Sequence, residues 1–278
     1  MTAPLATFAP GIFRDRVALV TGGGRGIGRS IALAFAGLGA DVAIASRKPE
    51  NLAPTAADIE AMGRGCLSKP TNVRDVAQVD SLVADTLARF GKIDFLINNA
   101  GGQFPARPFE ISDNGWRSVI DLNLNGTWNV TSRVGKHMVE RGFGAIVSIV
   151  HIYAFDRGAP PFPHSGAARA AVVNLTRSLA YHWARRGVTV NALAPGTIDT
   201  QGLREEEYAH SDRPDYETHA LRDIPAHRLG TPDEVAAMCV FLCSPAARYI
   251  NGASLIADGA GYLDTWTPML DPEAGGTT

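Results

Sequence analysis

The chain has 278 residues, 45% hydrophobic and 19% charged, enough apolar material for a sizeable core and for one unsplit α/β domain over residues 1–278. A formal net charge of −2 excludes a global attraction to nucleic acid or anionic lipid, so any anion has to be held by a local site. Three cysteines without metal-ligand spacing, no apolar run near a membrane span and no basic flank before Pro10 predict a cytoplasmic protein without a metal, a membrane anchor or a signal peptide.

Along the chain, short apolar runs bounded by turn residues alternate with longer helical patterns, the signature of a parallel sheet covered by helices on both faces. Val17 to Val20 is the first predicted strand. A glycine cluster follows, then a helix whose stripe is Ile27, Ile31, Phe35 and Leu38, ended by Gly39. Val42 to Ala45 reads as the second strand and a weaker strand lies near Cys66. Val76, Val79, Leu82, Val83, Leu87 and Phe90 line a helix closed by Gly91. Ile93 to Ile97, Ala145 to Ile149, Val188 to Leu193 and Ser254 to Ala257 supply the remaining strands. About seven strands is the size of a doubly wound, Rossmann-type sheet. Cys239 and Cys243 stand one helical turn apart, a spacing that suits buried packing better than a redox pair. Gln201 to His227, charged and irregular, follows a strand's carboxyl end beside the expected ligand crevice and is predicted to be a mobile lid. The Pro- and Gly-rich tail from Asp264 is expected on a surface or against a subunit partner.

The segment Thr21-Gly22-Gly23-Gly24-Arg25-Gly26-Ile27-Gly28 joins the first strand to the first helix. Glycines there let the backbone approach a pyrophosphate, and the N–H groups of the helix start face the anion. The spacing is Gly22-x3-Gly26-x-Gly28, not the general Gly-x-Gly-x-x-Gly, and a glycine cluster alone can serve a tight turn. Its place between a strand and an amphipathic helix points to phosphate binding. About twenty residues on, where NAD enzymes place an acid for the ribose 2′-hydroxyl, this chain has Ser46-Arg47-Lys48. Two cations there suit a 2′-phosphate, with Arg25 as a third contact, so the expected cofactor is NADP(H). A solvated basic turn is the bland alternative.

Further motifs follow in order: Asn72-Val73, Asn98-Asn99-Ala100-Gly101, Asp121-Leu122-Asn123-Leu124 and Pro195-Gly196-Thr197-Ile198-Asp199-Thr200. From about Arg16 to Tyr262 the chain resembles the short-chain dehydrogenase/reductase family. That resemblance implies that Asn72 and Val73 lie around the adenine and that Asn99, Ala100 and Gly101 line the adenosine-side cleft. It implies that the Asn123 backbone holds a water relay. It also implies that Pro195, Gly196 and Ile198 meet the nicotinamide carboxamide while Thr200 reaches the phosphates. A homotetramer, joined through the helices bearing Asn123 and Arg169 with a contact from the last strand, is the assembly implied.

The reacting positions depart from the family. Its usual chemistry uses a Ser after the fifth strand and a Tyr-x3-Lys on the next helix, where the cation lowers the phenol's pKa. Here His151 falls at the Ser position, Ser165 at the Tyr position and Arg169 at the Lys position, and no tyrosine is followed by Lys four residues later. Arg169 can hydrogen-bond ribose hydroxyls but cannot give up a proton. Reduction of an activated C=C asks less of such a site, because well-aimed donors stabilise an enolate, each by roughly 3 kcal/mol. The His-Ser-Gly-Ala-Ala-Arg-Ala run, the Asn98 to Phe104 loop and Ser46-Arg47-Lys48 resemble the peroxisomal trans-2-enoyl-CoA reductase branch. The related 2,4-dienoyl-CoA reductases carry a Tyr some eleven residues before a Ser-x3-Lys; Tyr153 lies twelve before Ser165. Tyr153 is thus the candidate for the substrate oxygen or for protonating Cα, with aromatic packing as its structural alternative. His151 is a candidate proton donor, and Gln103, Phe104 and His164 are candidate substrate contacts or plain cleft wall. Three functions stay open: an NADPH-dependent enoyl-CoA or dienoyl-CoA reductase acting on an acyl-CoA thioester, a dehydrogenase of terpenoid or other hydrophobic alcohols, and an NADP(H)-binding protein impaired in catalysis.

Overall fold

Among the described residues, 2–208, 221–222 and 224–263 of the computed structural model, the apolar runs become one seven-stranded sheet. The strands are β1 (Val17–Thr21), β2 (Asp41–Ser46), β3 (Cys66–Pro70), β4 (Phe95–Asn98), β5 (Gly144–Ile149), β6 (Val188–Pro195) and β7 (Ser254–Ala257). All neighbours run parallel in the order β3-β2-β1-β4-β5-β6-β7.

Period-two alternation divides each central strand between two cores. Ala18, Val20, Val42, Ile44, Phe95, Ile97, Ala145 and Val147 face one layer, where α1 (Gly26–Gly37) packs against the last long helix, α7 (Pro232–Cys243). Leu19, Ala43, Ala45, Leu96 and Ile146 face the other, built by α3 (Val76–Phe90), α5 (Gly126–Arg141) and α6 (Pro163–Trp183). α2 (Pro49–Ala61) covers the β2 and β3 edge, and α4 (Asp113–Ile120) leads into α5. Burial on both faces is why the strands read as unbroken apolar runs. Phe13, ahead of β1, stacks on Phe35 at 5.0 Å and leans on Phe95 at 4.8 Å, which anchors the N-terminal segment to the first layer.

Helix ends follow local chemistry. Asp75 accepts from the N–H groups of Ala77 and Gln78 at the start of α3, and Gly91 closes that helix at φ +75°. Thr231 and Glu234 form a reciprocal cap on α7, with Pro232 in its first turn. Cys239 and Cys243 are buried in the core, as their spacing suggested. The fourth predicted strand starts late: Ile93 and Asp94 precede β4. Most of the lid expected over Gln201 to His227 lies outside the described residues, although its start forms a wide helical turn, Leu203–Tyr208. The tail from Asp264 also lies outside them.

The chain leaves β1 toward β2 and β3 on one side, then returns to β4 on the other. The carboxyl ends of β1 and β4 therefore part at a topological switch point, which in this architecture is where a ligand crevice opens.

Candidate active site

A cleft of about 490 Å³ opens at that switch point. Gly22, Arg25, Gly26, Ile27 and Gly28 form its floor, Ser46, Arg47 and Lys48 one rim, and Asn72, Val73, Asn99, Ala100, Gly101 and Thr200 the remaining wall. The loop's geometry needs its glycines. Gly22 has φ +68° and Gly26 φ +53°, and a Cβ on Gly28 would stand 2.1 Å from the Gly22 carbonyl oxygen. The α1 start carries no side-chain cap, which it shares with α2 and α6 but not with α3, α4 and α7, capped by Asp75, Ser112 and Thr231. Its first-turn N–H groups are thus left for a ligand anion. An uncapped helix start, backbone brought close by obligate glycine and an exposed Arg47-Lys48 rim fit a phosphorylated dinucleotide.

Two asparagines lock this cleft to the sheet. Asn98 Nδ2 donates to Thr131 Oγ1 at 2.8 Å and to Ser148 Oγ at 3.3 Å, tying β4 to α5 and β5. Asn99 Nδ2 donates to the carbonyls of Thr21 and Gly22, while the N–H groups of Asn99 and Ala100 donate to Thr21 Oγ1 at 3.1 and 3.0 Å. The glycine loop and the end of β4 therefore move as one body.

Pro195, Gly196 and Ile198, expected at the nicotinamide carboxamide, lie beyond this cleft, which also stops short of His151, Ser165 and Arg169. Pro195 ends β6 in full burial, Gly196 packs against Asp258, and Ile198 pairs with Gly230 in an isolated bridge. Only Thr200 of that segment reaches the cleft, beside Gly26. Asn51, Thr71 and Leu122 line it without having been anticipated, and Gln201, the first residue of the expected lid, lines it as well. Thr71 had a usable signal, since it follows the end of β3 and precedes Asn72.

The reacting end is assembled from four segments. α4 runs into α5 through a π-turn, Asp121–Asn125, in which the Gly126 N–H reaches back to the Asp121 carbonyl. The turn buries Asn123 completely. Its Nδ2 donates to the carbonyls of Gly102 and Val119 at 2.8 and 2.9 Å, its Oδ1 accepts from the Gly102 N–H, and its own carbonyl accepts from Thr127 Oγ1. Asn123 thereby clamps the loop that carries Gln103.

Ser165, fully buried in the first turn of α6, donates to Gln103 Oε1 at 2.8 Å and lies 3.2 Å from His151 Nε2. One turn on, Arg169 donates from Nη1 to the Ile149 carbonyl and packs on Gly101, where a Cβ would fall 2.1 Å from Nη2. Burial pulls its pKa down to about 10, so Arg169 stays a cation at neutral pH. Burial first, then the Arg169 charge, lowers the His151 pKa to about 4, leaving a neutral imidazole at neutral pH. Burial also lowers His164, whose ring meets Phe104 edge-on at 4.5 Å. Tyr153 joins the cluster through its ring, 5.7 Å from that of His151. The structure thus brings Gln103, His151, Ser165 and Arg169 together. No helix of the described residues is long and apolar enough to cross a membrane, and none of their His, Cys, Asp and Glu side chains group as a metal site.

Residues 22–262 match the family model described as "Enoyl-(Acyl carrier protein) reductase". The chain is 38% identical to the peroxisomal 2,4-dienoyl-CoA reductase [(3E)-enoyl-CoA-producing] of Pongo abelii, covering 92% of this chain and 87% of that protein. It is 39% identical to the 2-dehydro-3-deoxy-D-gluconate 5-dehydrogenase of Pseudoalteromonas atlantica, over 88% of this chain and 94% of that protein. The solved structure of the citronellol catabolism dehydrogenase AtuB of Pseudomonas aeruginosa superimposes with a TM-score of 0.80 at 38% identity, covering 92% of this chain and 98% of that one. Seven parallel strands, a glycine-floored crevice at their switch point and these similarities identify the chain as an oxidoreductase of the short-chain dehydrogenase/reductase family, in the branch that includes the 2,4-dienoyl-CoA reductases.

Proposed function

We propose that this protein is an NADPH-dependent reductase of the C=C bond in 2-enoyl-CoA or 2,4-dienoyl-CoA thioesters. The observation that carries the reading is the hydrogen-bonded group His151, Ser165 and Gln103 beside a buried, fixed cation, Arg169. It offers hydrogen bonds and positive potential, which an enolate needs, without the Tyr-Lys couple that serves an alkoxide.

Bound NADPH would supply the hydride, taken up at Cβ of a 2-enoyl thioester or at Cδ of a 2,4-dienoyl thioester. Arg47, Lys48 and Arg25 would hold its 2′-phosphate, the N–H groups of the α1 start its pyrophosphate, and Arg169 its ribose. Ser165 donates to the thioester oxygen as negative charge gathers there, and Tyr153 protonates Cα. The segment from Gln201 to His227 serves as the lid. Assembly as a homotetramer draws support from exposed apolar side chains at the expected contacts, Trp128 on α5, Tyr181 on α6 and Ile256 on β7. A cytoplasmic location completes the reading.

Incubation with NADPH and a series of 2-enoyl-CoA and 2,4-dienoyl-CoA thioesters is expected to consume nicotinamide absorbance. Silence across all chain lengths, with turnover of hydrophobic alcohols instead, would establish the second reading, which the similarity to the citronellol dehydrogenase favours. Silence on both panels with tight NADPH binding would mark a binding protein. Replacing Arg47 and Lys48 together by Ala is expected to weaken NADPH roughly 100-fold by calorimetry, and NADH by less than about threefold. Equal losses would show that the pair serves only the fold.

A further inference from the structure

With the Gln103 amide oxygen facing Ser165, the two contacts of that residue's hydroxyl imply a direction for its protons. Its hydroxyl donates to Gln103 Oε1, so in the 3.2 Å contact with His151 Nε2 the imidazole has to be the donor. That direction calls for the Nε2–H tautomer of His151, whose buried Nδ1 has no hydrogen-bond partner. The Ser165 N–H donates to His164 Nδ1 at 3.0 Å, so that nitrogen is an acceptor, and the buried Nε2 of His164 has no hydrogen-bond partner. A one-way chain results, from the His151 N–H through the Ser165 O–H to an acceptor oxygen.

That acceptor is a side-chain amide on an exposed loop, whereas Ser165 is fully buried on a helix. Gln103 can swing away by rotating its own side chain. Ser165 and His151 keep their places.

We infer that the Gln103 amide oxygen is a built-in stand-in for the substrate's carbonyl oxygen, which displaces it from the Ser165 hydroxyl while His151 keeps that hydroxyl aimed. The identity of the incoming oxygen as a thioester carbonyl rests on the reductase reading; the direction of the donor chain does not. In these roles Gln103 competes with substrate, and His151 is a positioning residue that acts through Ser165.

Gln103→Ala is expected to tighten binding of the unreactive saturated thioester hexanoyl-CoA, measured by calorimetry with NADP⁺ present, by roughly threefold to tenfold. Unchanged or weaker affinity overturns the inference and makes Gln103 a substrate contact or cleft wall. His151→Phe is expected to lower kcat by roughly 10-fold to 100-fold with KM within about threefold, and His151→Gln, which retains an N–H donor, to recover part of that loss. Equal kcat for the two variants would reduce His151 to packing. Nitrogen-15 NMR of histidine-labelled free protein, with His151→Phe used for assignment, is expected to show a neutral ring protonated at Nε2. A ring protonated at Nδ1 overturns the proposal even in an active reductase. Because this measurement needs no substrate, a protein inert to thioesters but showing the Nε2–H ring loses only the reductase reading.

Discussion

Gly28→Ala is expected to raise the dissociation constant for NADPH at least about 100-fold, the loss of roughly 2.7 kcal/mol. The added Cβ would lie 2.1 Å from the Gly22 carbonyl oxygen, 2.7 Å from its carbon and 2.4 Å from Asn99 Nδ2. These neighbours are poorly able to yield. Gly22 is bonded by its N–H to the Ala45 carbonyl of β2, and Asn99 is pinned to Thr21 of β1. Relief therefore has to come from lifting the α1 start away from the loop, which dismantles the arrangement of N–H groups on which an anion would sit. Overpacking of this kind also costs about 1–3 kcal/mol of stability. Gly37→Ala, in the last turn of the same helix with open space around it, is the control and should leave binding unchanged. Wild-type NADPH affinity in Gly28→Ala would refute the proposed cofactor site.

Asp94→Ala should produce the largest loss of stability, about 3–5 kcal/mol. Asp94 is completely buried ahead of β4 and accepts from the Val17 N–H at 2.9 Å. Three cations converge on the same carboxylate: Arg16 at 3.3 Å, Arg141 at 3.2 Å and Lys92 at 3.9 Å. Removing it strands a backbone donor at the head of β1 and leaves positive charges without their counterion. For a chain of this size the melting temperature should fall by about 10 °C. Asp94→Asn, which keeps the shape and one acceptor, should fall less. The carboxylate lies at the amino ends of the strands, away from the cofactor cleft, so NADPH affinity in the folded variant should be unchanged. A melting temperature within about 2 °C of the parent would refute this role for the carboxylate.

Neither of these residues was equally visible beforehand. Gly28 could be singled out because a glycine between a strand and a helix has few reasons to be there. Asp94 sat inside a run that reads as strand, Ile93 to Ile97, and nothing in its spacing names partners at Arg16 and Arg141. The π-turn at Asp121–Asn125 was hidden for a related reason. It is one extra residue of helix, closed by a Gly126 whose place inside a helical run does not by itself name a wide turn, yet it sends Asn123 inward to hold Gly102. Pro195, Gly196 and Ile198 were named by resemblance alone, and the pairing of Ile198 with Gly230 is a contact that no local spacing announces.

By itself the sequence determined the doubly wound class, the strands and the glycine-floored crevice, because strands buried on both faces must be apolar runs and left-handed turns call for glycine. Tertiary structure alone decided which hydrogen-bonding groups meet at the reacting end. Gln103 and Ser165 are 62 residues apart and His151 and Ser165 are 14 apart. Hydrogen-bond direction depends on which groups meet at about 3 Å, and that distance exists only once α6, the β4 loop and the end of β5 have packed together.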